Sequence, residues 1–180
     1  MYTYRRTIKS GDMIEVEYYQ SIRKIGKNYG GRKSNNSLSP AKMRKANKLR
    51  AVKHMQRLIN ANFGSGDFFC RFSAPYGTYE TEEEFRKEVG KWLYRINYRL
   101  KKQGKGRLKY IAFIECGKSG KNWHIHIIVS KEDRELLSEQ WPYENGQNFT
   151  PLYKNENFKK LAEYITKGLT GAAEDDAAQK

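Results

Sequence analysis

The chain has 180 residues, with 35 Lys/Arg against 20 Asp/Glu, a formal charge of +15 and 13% aromatic residues. That length supports one domain with appendages and a sizeable core. No apolar run approaches the ~18 residues of a membrane span, and the N-terminus "MYTYRRTIKSGD" has no apolar signal segment, so the expectation is a cytoplasmic protein with no membrane partner. The charge is uneven: residues 1–60 hold 15 Lys/Arg against 3 Asp/Glu, residues 61–110 hold 11 against 6, and residues 111–180 hold 9 against 11. A basic front half ahead of a nearly neutral rear half suits a polyanion, most often nucleic acid, better than charge carried for solubility alone. Cys70 and Cys116 form no metal-type pair and are expected as reduced thiols.

In chain order, "TYRRTIKSGDMIEVEYYQ" reads as a hairpin turning at Ser10-Gly11-Asp12. A basic Gly/Asn/Ser loop follows from Gly26 to Pro40. Residues 41 to about 60 read as a basic helix with Met43, Leu49, Val52, Met55 and Ile59 near helical period. "FFCRFSA", Phe68 to Ala74, is a strand candidate whose Arg71 and Ser73 share a face. Thr81 followed by Glu82, Glu83 and Glu84 is a helix start, and Phe85, Val89, Trp92, Leu93 and Ile96 carry that helix to about Gln103, where Gly104 and Gly106 stop it. "LKYIAFIEC" and "WHIHIIVS" are two strands joined by "GKSGKN". A short helix in "KEDRELLSEQW", an extended "NFTPLY" and a helix "NFKKLAEYITKGL" complete the order, and the tail "TGAAEDDAAQK" is expected to fray. The resulting organisation is a basic N-terminal hairpin, loop and helix over 1–60, a core over 61–170 and a tail over 171–180.

The histidines of "WHIHIIVS" raise the chemical question. Residues two apart in a strand point to one face, with Cα atoms about 6.6 Å apart, so His124 and His126 can grip one ion. A hairpin turn centred on Ser119 and Gly120 sets Glu115 opposite His124 and Phe113 opposite His126, with Cβ atoms roughly 5 Å apart. One face then offers a carboxylate and two imidazoles, while Ile114, Ile125, Ile127 and Val129 face a core. Such a donor set leaves positions open for water or a phosphate oxygen; Mg²⁺ or Mn²⁺ would meet phosphate there, and Zn²⁺ would suit the imidazoles. The string "AFIECGKS" satisfies a permissive P-loop pattern, but strand-like residues precede its Gly117-Lys118-Ser119 and a strand rather than a helix follows, which excludes a phosphate cradle.

In "KKLAEYITKGL", Lys160, Tyr164 and Lys167 share one helix face, while Leu161, Ile165 and Leu169 can pack inward. A free tyrosine has a pKa near 10. Its attack on phosphorus therefore needs a nearby ammonium to favour the phenolate and a metal to polarise the phosphoryl group.

Together these residues resemble the HUH endonucleases, specifically the single-tyrosine rolling-circle replication initiators of phages, plasmids and integrative elements. The family's His-hydrophobic-His is matched by His124-Ile125-His126, its upstream acid by Glu115, and its Tyr-x-x-Lys by Tyr164-Ile165-Thr166-Lys167. The string "NFTPLYKNENFKKLAEYITK" is similar to initiators from Gram-positive mobile elements, and the resemblance spans roughly residues 8 to 168. One departure stands in "FFCRFSA", where the family's first motif carries small hydroxyl residues and this chain has Arg71 and Ser73.

The resemblance implies an α+β fold, a central antiparallel sheet of about five strands flanked by helices on a ferredoxin-like core. It implies origin nicking of single-stranded DNA through a 5′-phosphotyrosine, with Tyr164 as nucleophile, Lys167 beside it, and Glu115, His124 and His126 holding Mg²⁺ or Mn²⁺. Arg71, Ser73, Lys118, Lys121 and Lys160 are the expected DNA contacts, the basic excess of residues 1–60 would track the phosphate backbone, and Tyr4, Tyr76 or Trp123 could stack bases. A host polymerase would extend the free 3′-hydroxyl, and a host helicase would unwind, since no helicase segment is present. The same chemistry in a transposase, and a nucleic-acid-binding module without catalysis, are the alternatives. A two-histidine phosphoesterase would need a second His motif, and only His54 is left over.

Overall fold

A computed structural model describes residues 1–22, 40–153 and 157–170. The loop expected from Gly26 and the tail from residue 171 lie outside the described residues. The chain divides into two compact units, residues 1–62 with 157–166, and residues 63–156 with Lys167 onward.

In the first unit, β1 (Tyr2–Ser10) pairs antiparallel with β2 (Met13–Ser21), and Ser10 lies opposite Met13, so Gly11 and Asp12 alone make the turn. Gly11 has φ +59°, which the first central residue of a type II′ turn requires. A Cβ there would also meet the backbone oxygen of Asn60 at 2.1 Å, so the turn packs directly on the end of α1 (Pro40–Asn62). Helix α1 is basic along its length, and it docks through charge as well as apolar burial. Val52 and Ile59 are buried, whereas Met43 and Leu49 remain exposed. Arg57 reaches Glu15 at 2.7 Å and Glu17 at 3.1 Å, and Lys53 reaches Glu17 at 2.7 Å. Two of the three acidic residues in the first sixty thus serve to seat the helix on the hairpin.

The second unit runs β3 (Phe68–Ser73), α2 (Glu82–Lys102), β4 (Tyr110–Cys116), β5 (Trp123–Val129), a 3₁₀ turn over Lys131–Asp133, α3 (Arg134–Gln140) and β6 (Gln147–Pro151). Its sheet order is β4-β5-β3-β6 with every neighbour antiparallel, which is the ferredoxin-like βαββαβ arrangement. The α+β class expected from the resemblance is therefore present. Among the described residues this sheet has four strands, one fewer than the five or so expected, and β1 and β2 form a sheet of their own.

Alternation along the strands decides which side of the sheet is dry. Cys70 and Phe72 of β3 and Ile125, Ile127 and Val129 of β5 pack with Phe85, Val89, Trp92, Ile96 and Leu100 of α2 and with Leu137 of α3. Helix α2 begins where Thr81 accepts a hydrogen bond from the Glu84 N–H, and it ends at Gly104 with φ +69°. The Trp92 indole N–H donates to the Leu137 carbonyl at 3.1 Å, so the largest core side chain is also polar-satisfied. Neither cysteine is in a disulfide, and burial pushes the Cys70 thiol up to about 12. No described helix is long and apolar enough to cross a membrane.

Two glycine substitutions should act in opposite directions. Gly11→Ala combines a left-handed backbone with a backbone clash and should cost about 2 kcal/mol or more. Gly90→Ala, exposed within α2 and with nothing near its Cβ, should stabilise by about 0.5–1 kcal/mol. Urea unfolding of the two variants checks both signs.

Candidate metal centre

The β4–β5 register sets Glu115 against His124 and Phe113 against His126, as the turn predicts. The Gly117 N–H donates to the Asn122 carbonyl at 2.9 Å and the Gly120 N–H to the Gly117 carbonyl at 2.8 Å, with Gly120 at φ +72°. Those bonds close the turn and fix which residues face each other. One Glu115 oxygen lies 3.2 Å from His126 Nε2 and 3.5 Å from His124 Nε2. Glu115, His124 and His126 together offer three donor atoms, all within 4.8 Å of one another.

The imidazoles are prepared as ligands in two ways. His124 Nδ1 lies 3.1 Å from the Asn122 carbonyl oxygen, which can only accept, so Nδ1 carries the proton and the Nε2 lone pair points toward Glu115. His126 lies between two rings, Phe69 at 5.3 Å and 7° and Phe113 at 4.8 Å and 18°. It is 5% exposed. Burial disfavours its charged form, and the neighbouring His124 adds to that penalty; together they outweigh the attraction of Glu115, and the His126 pKa falls to about 4. A neutral imidazole is the form that coordinates a cation, so the donor set fits a divalent ion.

Strand β3 adds an anion-binding edge to this face. Arg71 pairs with His126 and Ser73 with His124, so both side chains emerge beside the histidines rather than into the core. Arg71 is exposed and Ser73 half-buried. Asn148 of β6 lies opposite Arg71 and continues the polar row. Lys118 and Lys121 are exposed in the turn between β4 and β5.

The expected nucleophile lies in α4 (Lys159–Thr170), whose first amides are met by Asn157: its side-chain oxygen accepts from the Lys159 N–H at 3.2 Å. Ala162 and Ile165 are buried, and Tyr164 and Lys167 are exposed one turn apart, with Lys160 also exposed. The side chain of Leu169 lies outside the described residues. Of the aromatic residues expected to stack bases, Tyr76 is exposed and Tyr4 stacks on Tyr19 at 5.6 Å. Trp123 instead packs on the core side against Phe85, because it shares a strand face with Ile125 rather than with the histidines. Sequence reasoning missed Phe69 as a flank of His126. Only the β3–β5 pairing brings them together, and nothing local to either strand signals it.

The buried His126 makes the metal-free fold acid-sensitive. An unfolded histidine takes its proton near pH 6.5, and folded His126 refuses it until about pH 4. Stability should therefore fall as pH drops through that window, at up to about 1.4 kcal/mol per pH unit from this group. Urea titrations at pH 7, 6 and 5 should show the slope, and His126→Phe should reduce it.

A family model described as replication-associated protein ORF2 matches residues 77–171, just over half of the chain. No curated protein and no solved structure matches the chain. The match runs from the turn before α2 through Glu115, both histidines and α4, and this chain belongs to the ORF2 family of replication-associated proteins.

Proposed function

We propose that the protein initiates rolling-circle replication in the cytoplasm of a bacterial host, nicking and rejoining single-stranded origin DNA through a 5′-phosphotyrosyl link to Tyr164. The observation that carries this reading is the cluster of Glu115, His124 and His126, three donors within 4.8 Å on the side of the sheet away from the core. A buried neutral histidine flanked by two rings and facing a carboxylate serves no evident packing purpose that an apolar residue would not serve better. Membership of a replication-associated family favours an initiator over a transposase of the same chemistry.

On this reading Glu115, His124 and His126 hold Mg²⁺ or Mn²⁺, which when bound polarises the scissile phosphoryl group. The Tyr164 phenolic oxygen forms a bond to phosphorus as the bond from phosphorus to the 3′ oxygen breaks. The phenolic proton is lost to solvent, and the departing 3′ oxygen takes one up. Lys167, one helical turn on, places an ammonium where the phenolate develops. Arg71 and Ser73 hold a flanking phosphate, and Lys118, Lys121 and Lys160 neutralise neighbouring ones. Because the phosphotyrosyl ester keeps the energy of the broken bond, a later 3′-hydroxyl reseals the strand by the reverse exchange. A host polymerase extends the free 3′ end, and a host helicase separates the strands.

Incubation with single-stranded DNA of the protein's own element and Mn²⁺ should give a covalent adduct on a denaturing gel. Tyr164→Phe and EDTA should each abolish it, and an adduct persisting in Tyr164→Phe would place the nucleophile elsewhere. His126→Ala should lower Mn²⁺ affinity by at least 10-fold in calorimetry and remove the adduct, while leaving much of the salt-sensitive DNA binding. Unchanged Mn²⁺ affinity in that variant would exclude His126 as a ligand.

A further inference from the structure

The charge of the second unit is concentrated in one stretch. Between Val89 and Ile114 the chain carries eight Lys/Arg and no Asp/Glu. These residues form the second half of α2 and the loop that returns to β4. The inner stripe of that helix, Trp92, Ile96 and Leu100, is buried in the core. Its outer stripe carries Tyr94 and Tyr98, 72% and 49% exposed, with ring centroids 6.5 Å apart and planes only 17° from parallel. A tyrosine pair left in water on a helix already anchored by three buried side chains contributes little to folding.

The two rings border a groove of about 550 Å³ lined also by Asn97, Lys101, Lys105 and Arg107. The groove is held open by backbone geometry. Lys105 N–H donates to the Leu100 carbonyl at 2.9 Å and Gly104 N–H to the Lys101 carbonyl at 3.1 Å, which turns the chain back along the helix. Asn97 then staples the return, accepting from the Leu108 N–H at 3.0 Å while its amide donates to the Leu93 carbonyl at 2.8 Å. The Lys102 ammonium lies 4.9 Å from the centroid of the Tyr98 ring. Parallel aromatic faces beside several cations, without a carboxylate in the stretch, suit a strand of unpaired bases with its phosphates. Duplex DNA would meet the cations but has no free base face to lay on the rings.

We propose that this groove is a second single-stranded DNA site, in which Tyr94 and Tyr98 stack bases and Lys101, Lys105 and Arg107 contact the backbone. It lies on α2, which covers the core side of the sheet, and so is separate from the face that carries Glu115, His124 and His126. The proposal rests on the reading that the chain handles single-stranded DNA, and it does not depend on nicking.

The test is equilibrium binding in a Tyr164→Phe background, where covalent product cannot contribute, with fluorescein-labelled oligo(dT) of 30 nucleotides and a mixed-sequence 30-base-pair duplex as probes. Tyr94→Ala with Tyr98→Ala should weaken oligo(dT) binding at least 10-fold and duplex binding less than 3-fold. Tyr94→Phe with Tyr98→Phe should restore oligo(dT) binding, since the ring and not the hydroxyl is required. Lys101→Ala with Arg107→Ala should flatten the dependence of log affinity on log salt by roughly 1.4 for oligo(dT). Oligo(dT) affinity unchanged in the double alanine variant of the tyrosines, or lost equally for both probes, would overturn the site. Either result would leave the adduct assay, and the nicking reading with it, untouched.

Discussion

The pairing of Glu115 with His124 across β4 and β5 is the constraint on which the candidate centre depends. A slip of one residue would turn the carboxylate into the core and Ile114 toward the histidines. Two forces resist the slip. Burial of Ile125, Ile127 and Val129 on the core face fixes which residues of β5 point outward. The turn fixes what they point toward, and there the Asn122 carbonyl has a double role. It accepts from the Gly117 N–H, which closes the hairpin, and from His124 Nδ1–H, which orients the imidazole. Hairpin register and ligand orientation are thereby tied to one oxygen atom, so a distortion of the turn would reach the donor set without altering any ligand residue.

Strand β5 is central in the sheet, and its two neighbours give its outward face opposite characters. On the β4 side lies Glu115, a cation ligand, and on the β3 side lie Arg71 and Ser73, suited to an anion. A phosphodiester approaching this face would find positive and hydroxyl groups within one strand spacing, about 4.8 Å, of the histidines. Phe69 and Phe113 make the arrangement effective by shielding His126, because electrostatic interactions strengthen where water is excluded. The same exclusion keeps His126 neutral, so the environment that raises the cost of a proton there suits the binding of a metal.

Much of this was legible in the sequence wherever the information was local. The turn "GKSGKN" specified the β4–β5 register, Thr81 with three glutamates specified the start of α2, and Gly104 its end. What sequence did not show is what long-range pairing decides. Phe69 stacks on His126 through strands separated by the whole of α2 and β4, and no local pattern encodes that adjacency. The strand count missed for a related reason: β1 and β2 have strand composition, but composition cannot say whether a hairpin joins the main sheet or forms its own. Nor did segment-wise charge counting isolate the acid-free run from Val89 to Ile114, because the glutamates at the start of α2 were averaged into the same window.

Alternation in β5 also means that stability and chemistry cannot be tuned separately. Every second residue, Ile125, Ile127 and Val129, is packed against α2 and α3, and the residues between them are His124, His126 and the fully buried Ile128. Shortening Ile125 would leave a void directly beneath the two imidazoles, at a cost on the order of 1 kcal/mol for a single methylene. The backbone would relax toward that void, and a shift of a few tenths of an ångström would be felt at donor atoms that must converge on one ion. Strong apolar side chains on the hidden face of this strand are thus part of how the exposed face holds its geometry. A substitution there would be expected to weaken metal binding before it unfolded the protein.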